Sequence, residues 1–288
     1  MKPLPLIGRL VAGIAALAAW PALAADPALP LPDIYRATLP CLAQVYQVPT
    51  GQRRRDPFDA LFRDKPAARC KVEALETRRE APNGLGLIWG DGSFVLTAEF
   101  LIPSGKQEDQ TLQEFVLEAA DGRRFEARLH AVDRTSGVAM LKAQASLGPA
   151  CRFGNSVALE VGQAVVAIGN MQRLRLLMSQ GIVSALTDVD PGDMQGGGLA
   201  IMTTTPSGPG MAGGPLLDLQ GRVIGMHHAM LVGGRGAEVV SVALPIQRAL
   251  AAAEELARHG KVQRSRLGAE VTDERLPLGK AALLETRR

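Results

Sequence analysis

The spacing of apolar residues along this chain of 288 residues changes twice. Near the start, "LPDIYRATLPCLAQVYQV" places them at helical intervals and then turns strand-like around Val45 to Val48. A polar stretch, "PTGQRRRDPFDALFRDKPAARC", follows. From about Gly84 to Leu244 the apolar runs are short, rich in β-branched residues and broken by Gly, Asp-Gly and Pro. Asp91-Gly92, Asp121-Gly122 and, more loosely, Gln220-Gly221 are turns of hairpin type. Many strands at close, regular spacing, with no helical segment between them, predict antiparallel barrels or a sandwich. Helical spacing returns only at "PIQRALAAAEELARHGKV", with His259-Gly260 as its stop.

The first residues read differently. Lys2 and Arg9 precede an apolar run from Leu10 to Trp20, and small residues follow at Ala22, Ala24 and Ala25. This is the pattern of a secretory signal peptide cleaved near residue 25, and the run is short for a membrane span. The expected destination is the periplasm, with no stable membrane span after cleavage. A formal charge of +3 gives no reason to expect nucleic acid as a partner. Of the three cysteines, Cys41 and Cys70 flank one N-terminal segment, and an oxidising compartment favours one bridge. Chain proximity suggests Cys41 with Cys70, although spacing does not fix connectivity. There is no C-x-x-C, and the four histidines do not cluster with the cysteines, so neither a metal nor a cofactor is expected. Asp188, Asp190 and Asp193 lack the closing glutamate of a calcium loop.

Several segments, in order, resemble the HtrA (Deg) family of periplasmic trypsin-like serine proteases. They are "GLGLIWGDGSFVLTAEFLI", "LEAADGRRFEARLHAVDRTSGVAMLKA", "VGQAVVAIGN" with "SQGIVSAL", the run "IMTTTPSGPGMAGGPLLDLQGRVIGMHHAM", and "VALPIQRAL". The resemblance covers Gly84 to Val262, and "DPFDALFR" is similar to the family's N-terminal loop. It implies an all-β fold of the trypsin type: two antiparallel six-stranded barrels, an N-terminal helical segment and a C-terminal helix. It also implies a division into a signal peptide (1–25), an N-terminal segment and loop (26–83), a trypsin-like domain (84–262) and a tail (263–288). "SRLGAEVTDE" in that tail resembles the first strand of a PDZ domain, and no complete PDZ domain is expected.

Carried over position by position, the family's catalytic histidine, aspartate and serine fall on Phe100, Gly137 and Ala212. Amide hydrolysis by a serine needs an imidazole to accept its proton and a carboxylate to orient that imidazole. The resemblance therefore implies no catalytic residues and no enzyme. The expectation is instead a degenerate family member that binds a polypeptide or an envelope protein as chaperone, scaffold or protease modulator. A homo-oligomer or a mixed assembly with an active homologue is compatible with this. The alternative is a serine endopeptidase of periplasmic quality control that uses an unrecognised residue set. Glu99, beside Phe100, would point to the opposite face; Ser207, His227 and His228 are read as lying away from the turn apex. Gly210 and the amide of Ala212 would still offer backbone donors to a peptide carbonyl, with Thr204 and Thr205 beside them. The same small residues also suit plain packing of a tight turn. The methionines around this segment, Met171, Met178, Met194, Met202, Met211, Met226 and Met230, read as adaptable core packing or as a soft groove.

Overall fold

A computed structural model describes residues 27–47, 82–103, 114–170, 176–189, 198–208, 210–232 and 239–264. The leader, "DPFDALFR", Cys70, Met171, Asp190, Asp193, Met194 and the tail beyond residue 264 lie outside the described residues.

A short helix, α1 (Leu31–Thr38), runs through a 3₁₀ turn (Leu39–Cys41) into β1 (Leu42–Gln47). Two antiparallel hairpin-rich sheets follow. The first comprises β2 (Gly84–Trp89), β3 (Phe94–Ala98), β4 (Glu114–Ala119), β5 (Arg124–Asp133) and β6 (Val138–Ala143). With β1 it closes into a six-stranded barrel of order β1-β2-β3-β6-β5-β4. The second comprises β7 (Ala164–Gly169), β8 (Leu177–Val189), β9 (Gly198–Thr203), β10 (Pro215–Leu217), β11 (Val223–Val232) and β12 (Val239–Pro245). It closes in the order β10-β11-β12-β9-β8-β7. The chain then enters helix α2 (Ile246–His259), which Gly260 stops in the left-handed region at φ +68°. The expected double barrel, with its N-terminal and C-terminal helices, is the observed fold.

The strands form where period-2 patterning lets one face be buried. Along β5, Ala127, Leu129 and Ala131 point inward, while Arg128 and His130 between them face solvent. Val45, Ile88, Val95, Phe115, Leu117 and Leu141 fill the first barrel. Val165, Val183, Ile201, Leu216 and Ile224 fill the second. A third cluster joins the two, where Leu87, Leu96 and Met140 meet Val166, Ile168, Leu217 and Met226. The apolar stripe of α2, Ile246, Ala249, Ala253 and Leu256, seals the same cluster. The alanines let the helix lie close on β5, β6 and β11.

Two features were not legible beforehand. β1 lies ahead of Gly84, yet it closes the first barrel by pairing Leu42 with Leu87 on one side and Val45 with Leu117 on the other. The disulfide also departs from expectation, because Cys41 is bonded to Cys151 and not to Cys70. The reason is the register of β1 on β2. It sets Cys41 next to Ile88, whose carbonyl accepts the Cys151 amide at 2.9 Å, so the two Cα atoms lie 4.9 Å apart. Distance along the chain was the wrong guide to distance in the fold.

The bridge spans 110 residues, and closing so long a loop restricts the unfolded chain by about 4 to 5 kcal/mol in the loop-entropy account. Reduction should therefore lower the denaturation midpoint markedly. Non-reducing peptide mapping should yield a fragment linking Cys41 to Cys151, and a fragment linking Cys41 to Cys70 in its place would refute the pairing.

Candidate active site

The connection from β9 to β10 carries the tight turn on which the site is built. Gly210, at φ +93°, approaches β7 so closely that a Cβ there would fall 1.7 Å from the Asn170 carbonyl oxygen. Gly213, at φ +75°, would likewise drive a Cβ to 2.0 Å from the Leu85 carbonyl oxygen. Neither position admits a side chain. The turn is held on three sides. The Asn170 amide donates to the Gly210 carbonyl at 3.2 Å, and the Leu85 amide donates to the Ala212 carbonyl at 2.8 Å. The Gly213 amide donates to the His227 carbonyl at 2.7 Å, and the His227 amide returns a bond to the Gly214 carbonyl at 2.8 Å. Met211 packs its sulfur into the space above Gly169. Among the described residues, the amides of Gly210 and Ala212 donate to no other backbone carbonyl.

Opposite this turn, the first barrel ends β3 in a 3₁₀ turn, Glu99–Leu101. Its outer residues are both anchored. Glu99 is buried and ion-paired to Arg134 at 2.9 Å, and its amide donates to the Gly137 carbonyl at 3.1 Å. Burial pushes the Glu99 carboxyl up, and the Arg134 charge offsets this only in part. Leu101 packs with Ala98 and Ala212. Phe100, between them, is left 46% exposed.

The two histidines of β11 are both buried although adjacent, because the strand bulges. The register against β12 runs from His227 with Ala243 to Ala229 with Val242, which leaves His228 as the extra residue. His227 Nδ1 lies 3.1 Å from Ser241 Oγ. Both residues are about 1% exposed, which places the pair inside the barrel and not in the cleft. His228 meets Phe100 edge to face, with ring centres 5.3 Å apart. Its Nε2 stands 2.6 Å from where a Cβ on Gly137 would be, and neither ring nitrogen has a hydrogen-bond partner among the described residues. Burial pulls both imidazoles down to about 4, with Arg248 contributing at His228.

The structure thus links Phe100 and Gly137 through the ring of His228, Leu101 to Ala212, and the turn to the backbone of His227, although sequence reasoning had set both histidines aside as remote. Their backbone and ring contacts correct that reading. The bulge that turns His228 inward is not encoded in any local pattern. The Thr204 hydroxyl accepts the Ile182 amide at 3.0 Å, and those of Thr203 and Thr205 lie 2.6 Å apart in the interior. Next to the site, Arg264 grips Asp133 through two nitrogens, one at 2.7 Å, and Asp133 also accepts the Ser136 amide. Among the described residues, no group of three or more His, Cys, Asp or Glu could hold a metal ion. None of their helices is long and apolar enough to cross a membrane.

Residues 84–226 match the trypsin-like peptidase domain family, so the fold and the turn define a trypsin-like peptidase domain. Within that class, this chain is similar to relatives named DegP-like and HtrA-type. It is 32% identical over 211 residues to "Probable periplasmic serine endoprotease DegP-like" of Pseudomonas fluorescens, covering 73% of this chain and 42% of the relative. It is 31% identical over 196 residues to the protein of the same name in Chlamydia trachomatis, covering 66% and 37%. It therefore spans about two fifths of the length of these relatives. The solved HtrA-type protease AlgW with a decapeptide shares the fold at TM-score 0.65 and 24% identity, over 85% of this chain and 72% of that one. These matches overturn the expectation that the chain is no enzyme, since the domain is a peptidase domain and the relatives are named as serine endoproteases.

Two outcomes follow from the geometry. Gly137 combines φ +77° with the His228 ring against its Cα, so Gly137→Ala should cost about 1 to 3 kcal/mol. His228→Ala in the same chain should recover part of that loss in urea denaturation. Both histidines are held neutral, so the unfolded chain takes up protons at higher pH than the fold does. Their stabilisation is complete above about pH 6.5 and falls as the pH drops towards 4. Between pH 7 and 5 the loss should be on the order of 2 kcal/mol per histidine, and His228→Gln should remove its share of the slope.

Proposed function

We propose that this chain acts on extended polypeptide in the periplasm, as a serine-type endopeptidase of protein quality control that uses a residue set other than the positions Phe100, Gly137 and Ala212. The observation that carries this reading is the turn from Gly210 to Gly214. It is pinned by both barrels, yet among the described residues the Gly210 and Ala212 amides donate to no backbone carbonyl. Two fixed amides of this kind can donate to a peptide carbonyl and stabilise the negative charge that develops when that carbonyl is attacked. The names of the relatives support a proteolytic role and a periplasmic one.

Ala212 presents a methyl group, so the attacking oxygen comes from elsewhere, and turnover should be slow. Catalysis from binding and the amide cradle alone is worth roughly 10³ to 10⁴ over water. In this reading residues 1–25 are the signal peptide and 26–83 the N-terminal segment that lends β1. Residues 84–262 then form the working domain, and 263–288 a tail.

A second reading rests on the same cradle and is favoured by the Ala212 methyl. Here the chain holds a polypeptide or envelope partner as chaperone, scaffold or modulator of a homologue, alone or in a mixed assembly. Purified protein incubated with unfolded casein separates the two. Slow accumulation of fragments, absent from a boiled control, supports the endopeptidase. Suppressed aggregation of casein that stays intact supports holding. Neither fragments nor association would defeat both.

A further inference from the structure

Gln44 stands between two of the points that hold the Gly210–Gly214 turn. Across β1 and β2 it lies opposite Leu85, whose amide holds the Ala212 carbonyl. Its side chain reaches the second point, since Asn170 Nδ2 donates to Gln44 Oε1 at 3.0 Å while the Asn170 main-chain amide holds the Gly210 carbonyl. In the other direction, Gln44 Nε2 donates at 3.2 Å to Glu118 Oε1, on the neighbouring strand β4. Glu118 is fixed in turn by Arg124 Nε at 2.7 Å and by the Tyr46 hydroxyl at 3.4 Å. Burial and the Glu118 charge push that hydroxyl up to about 12, so it stays a donor. A carboxylate only accepts, so Glu118 decides which end of the Gln44 amide faces it. The Gln44 oxygen is thereby turned towards Asn170 and requires a donor there. Asn170 is buried, and turning its amide over would set its oxygen against that of Gln44. Its Oδ1 instead has no hydrogen-bond partner among the described residues, a penalty accepted to keep the direction.

We propose that Glu118, Gln44 and Asn170 are positioning residues, a directed relay of hydrogen bonds from a carboxylate on the first barrel to the residue that seats Gly210 on the second. One charge sets the orientation of two amides in series. Apolar packing, as in the cluster that joins the barrels, is non-directional. The relay adds the direction, and it gathers the Asn170 and Leu85 fastenings of the turn at a single residue of β1. Its value to catalysis rests on the reading of the turn as a carbonyl cradle; its hold on the turn does not.

Amide hydrogen exchange of the purified full chain tests the relay, read as the protection of the peptide that contains the Gly210–Gly214 turn, relative to the natural chain at the same pH. Gln44→Leu should lower that protection about 10-fold, as expected for losing a hydrogen bond to a charged group. Asn170→Asp carries the directional signature. While its carboxyl is protonated it has a hydroxyl to donate to Gln44 Oε1, and burial raises its pKa by roughly 3 units from ~3.9. Protection should therefore match the natural chain near about pH 5 and fall about 10-fold near about pH 8, where the carboxylate faces an oxygen. Adding Glu118→Gln should restore it at the higher pH. The new amide at position 118 can donate to Gln44, which frees Gln44 to donate to the carboxylate at position 170. Peptides from β8 should keep their protection in every variant. Unchanged protection of the turn in Gln44→Leu, a loss in Asn170→Asp that is equal at both pH values, or no recovery in the double variant would overturn the relay. An equal loss along the whole chain would do the same, by reducing the three residues to general packing. A natural chain that neither cleaves nor holds casein would defeat the polypeptide reading and leave the relay standing.

Discussion

The turn from Gly210 to Gly214 is the constraint on which the rest of the site depends. It belongs to the second barrel but is fastened to the first, through the bond from the Leu85 amide to the Ala212 carbonyl. Its other fastenings, on Asn170 after β7 and on His227 of β11, come from the two strands that flank β10 in its own barrel. Polar groups around the turn are not all paired, since Asn170 Oδ1 and His227 Nε2 have no hydrogen-bond partner among the described residues. The glycines make the fastenings possible, because the backbone comes closer to Asn170 and Leu85 than any Cβ would permit. The position of the turn is therefore a product of barrel packing, with Leu87, Leu96, Ile168 and Met226 in the cluster that joins the two barrels.

Much of the architecture could be read from the chain alone, for a physical reason. In β5 burial alternates with the residue, and at Asp121-Gly122 and Gln220-Gly221 the turn chemistry marks where the strands end. The stripe of α2 and its stop at Gly260 were legible in the same way. β1 was not, because a short strand between a helix and a polar loop shows its role only when the barrel closes around it. The partner of Cys41 was hidden for the same reason. Contacts made at a distance in the chain leave no trace in local periodicity.

The site shows the same division. The glycine pattern of the turn is local and was recognisable, and so were the opposed directions of Glu99 and Phe100, although a 3₁₀ turn after β3 and not strand alternation produces them. The part played by His228 was not recognisable. It depends on a bulge that appears only once β11 is set against β12, and on a glycine between β5 and β6 of the other barrel that makes room for the ring. Gly137 and His228 are a reciprocal pair, in which the side chain missing from one position is the volume occupied by the other.

The grip of Arg264 on Asp133 gives the molecule a lever. Asp133 accepts the Gly137 amide through its carbonyl and the Ser136 amide through its carboxylate, and Gly137 in turn accepts the amide of Glu99. A force applied to the chain just past α2 would therefore run through four residues and a few rigid hydrogen bonds to the ring of Phe100. The end of α2 and the turn that carries Phe100 thus share one run of hydrogen bonds.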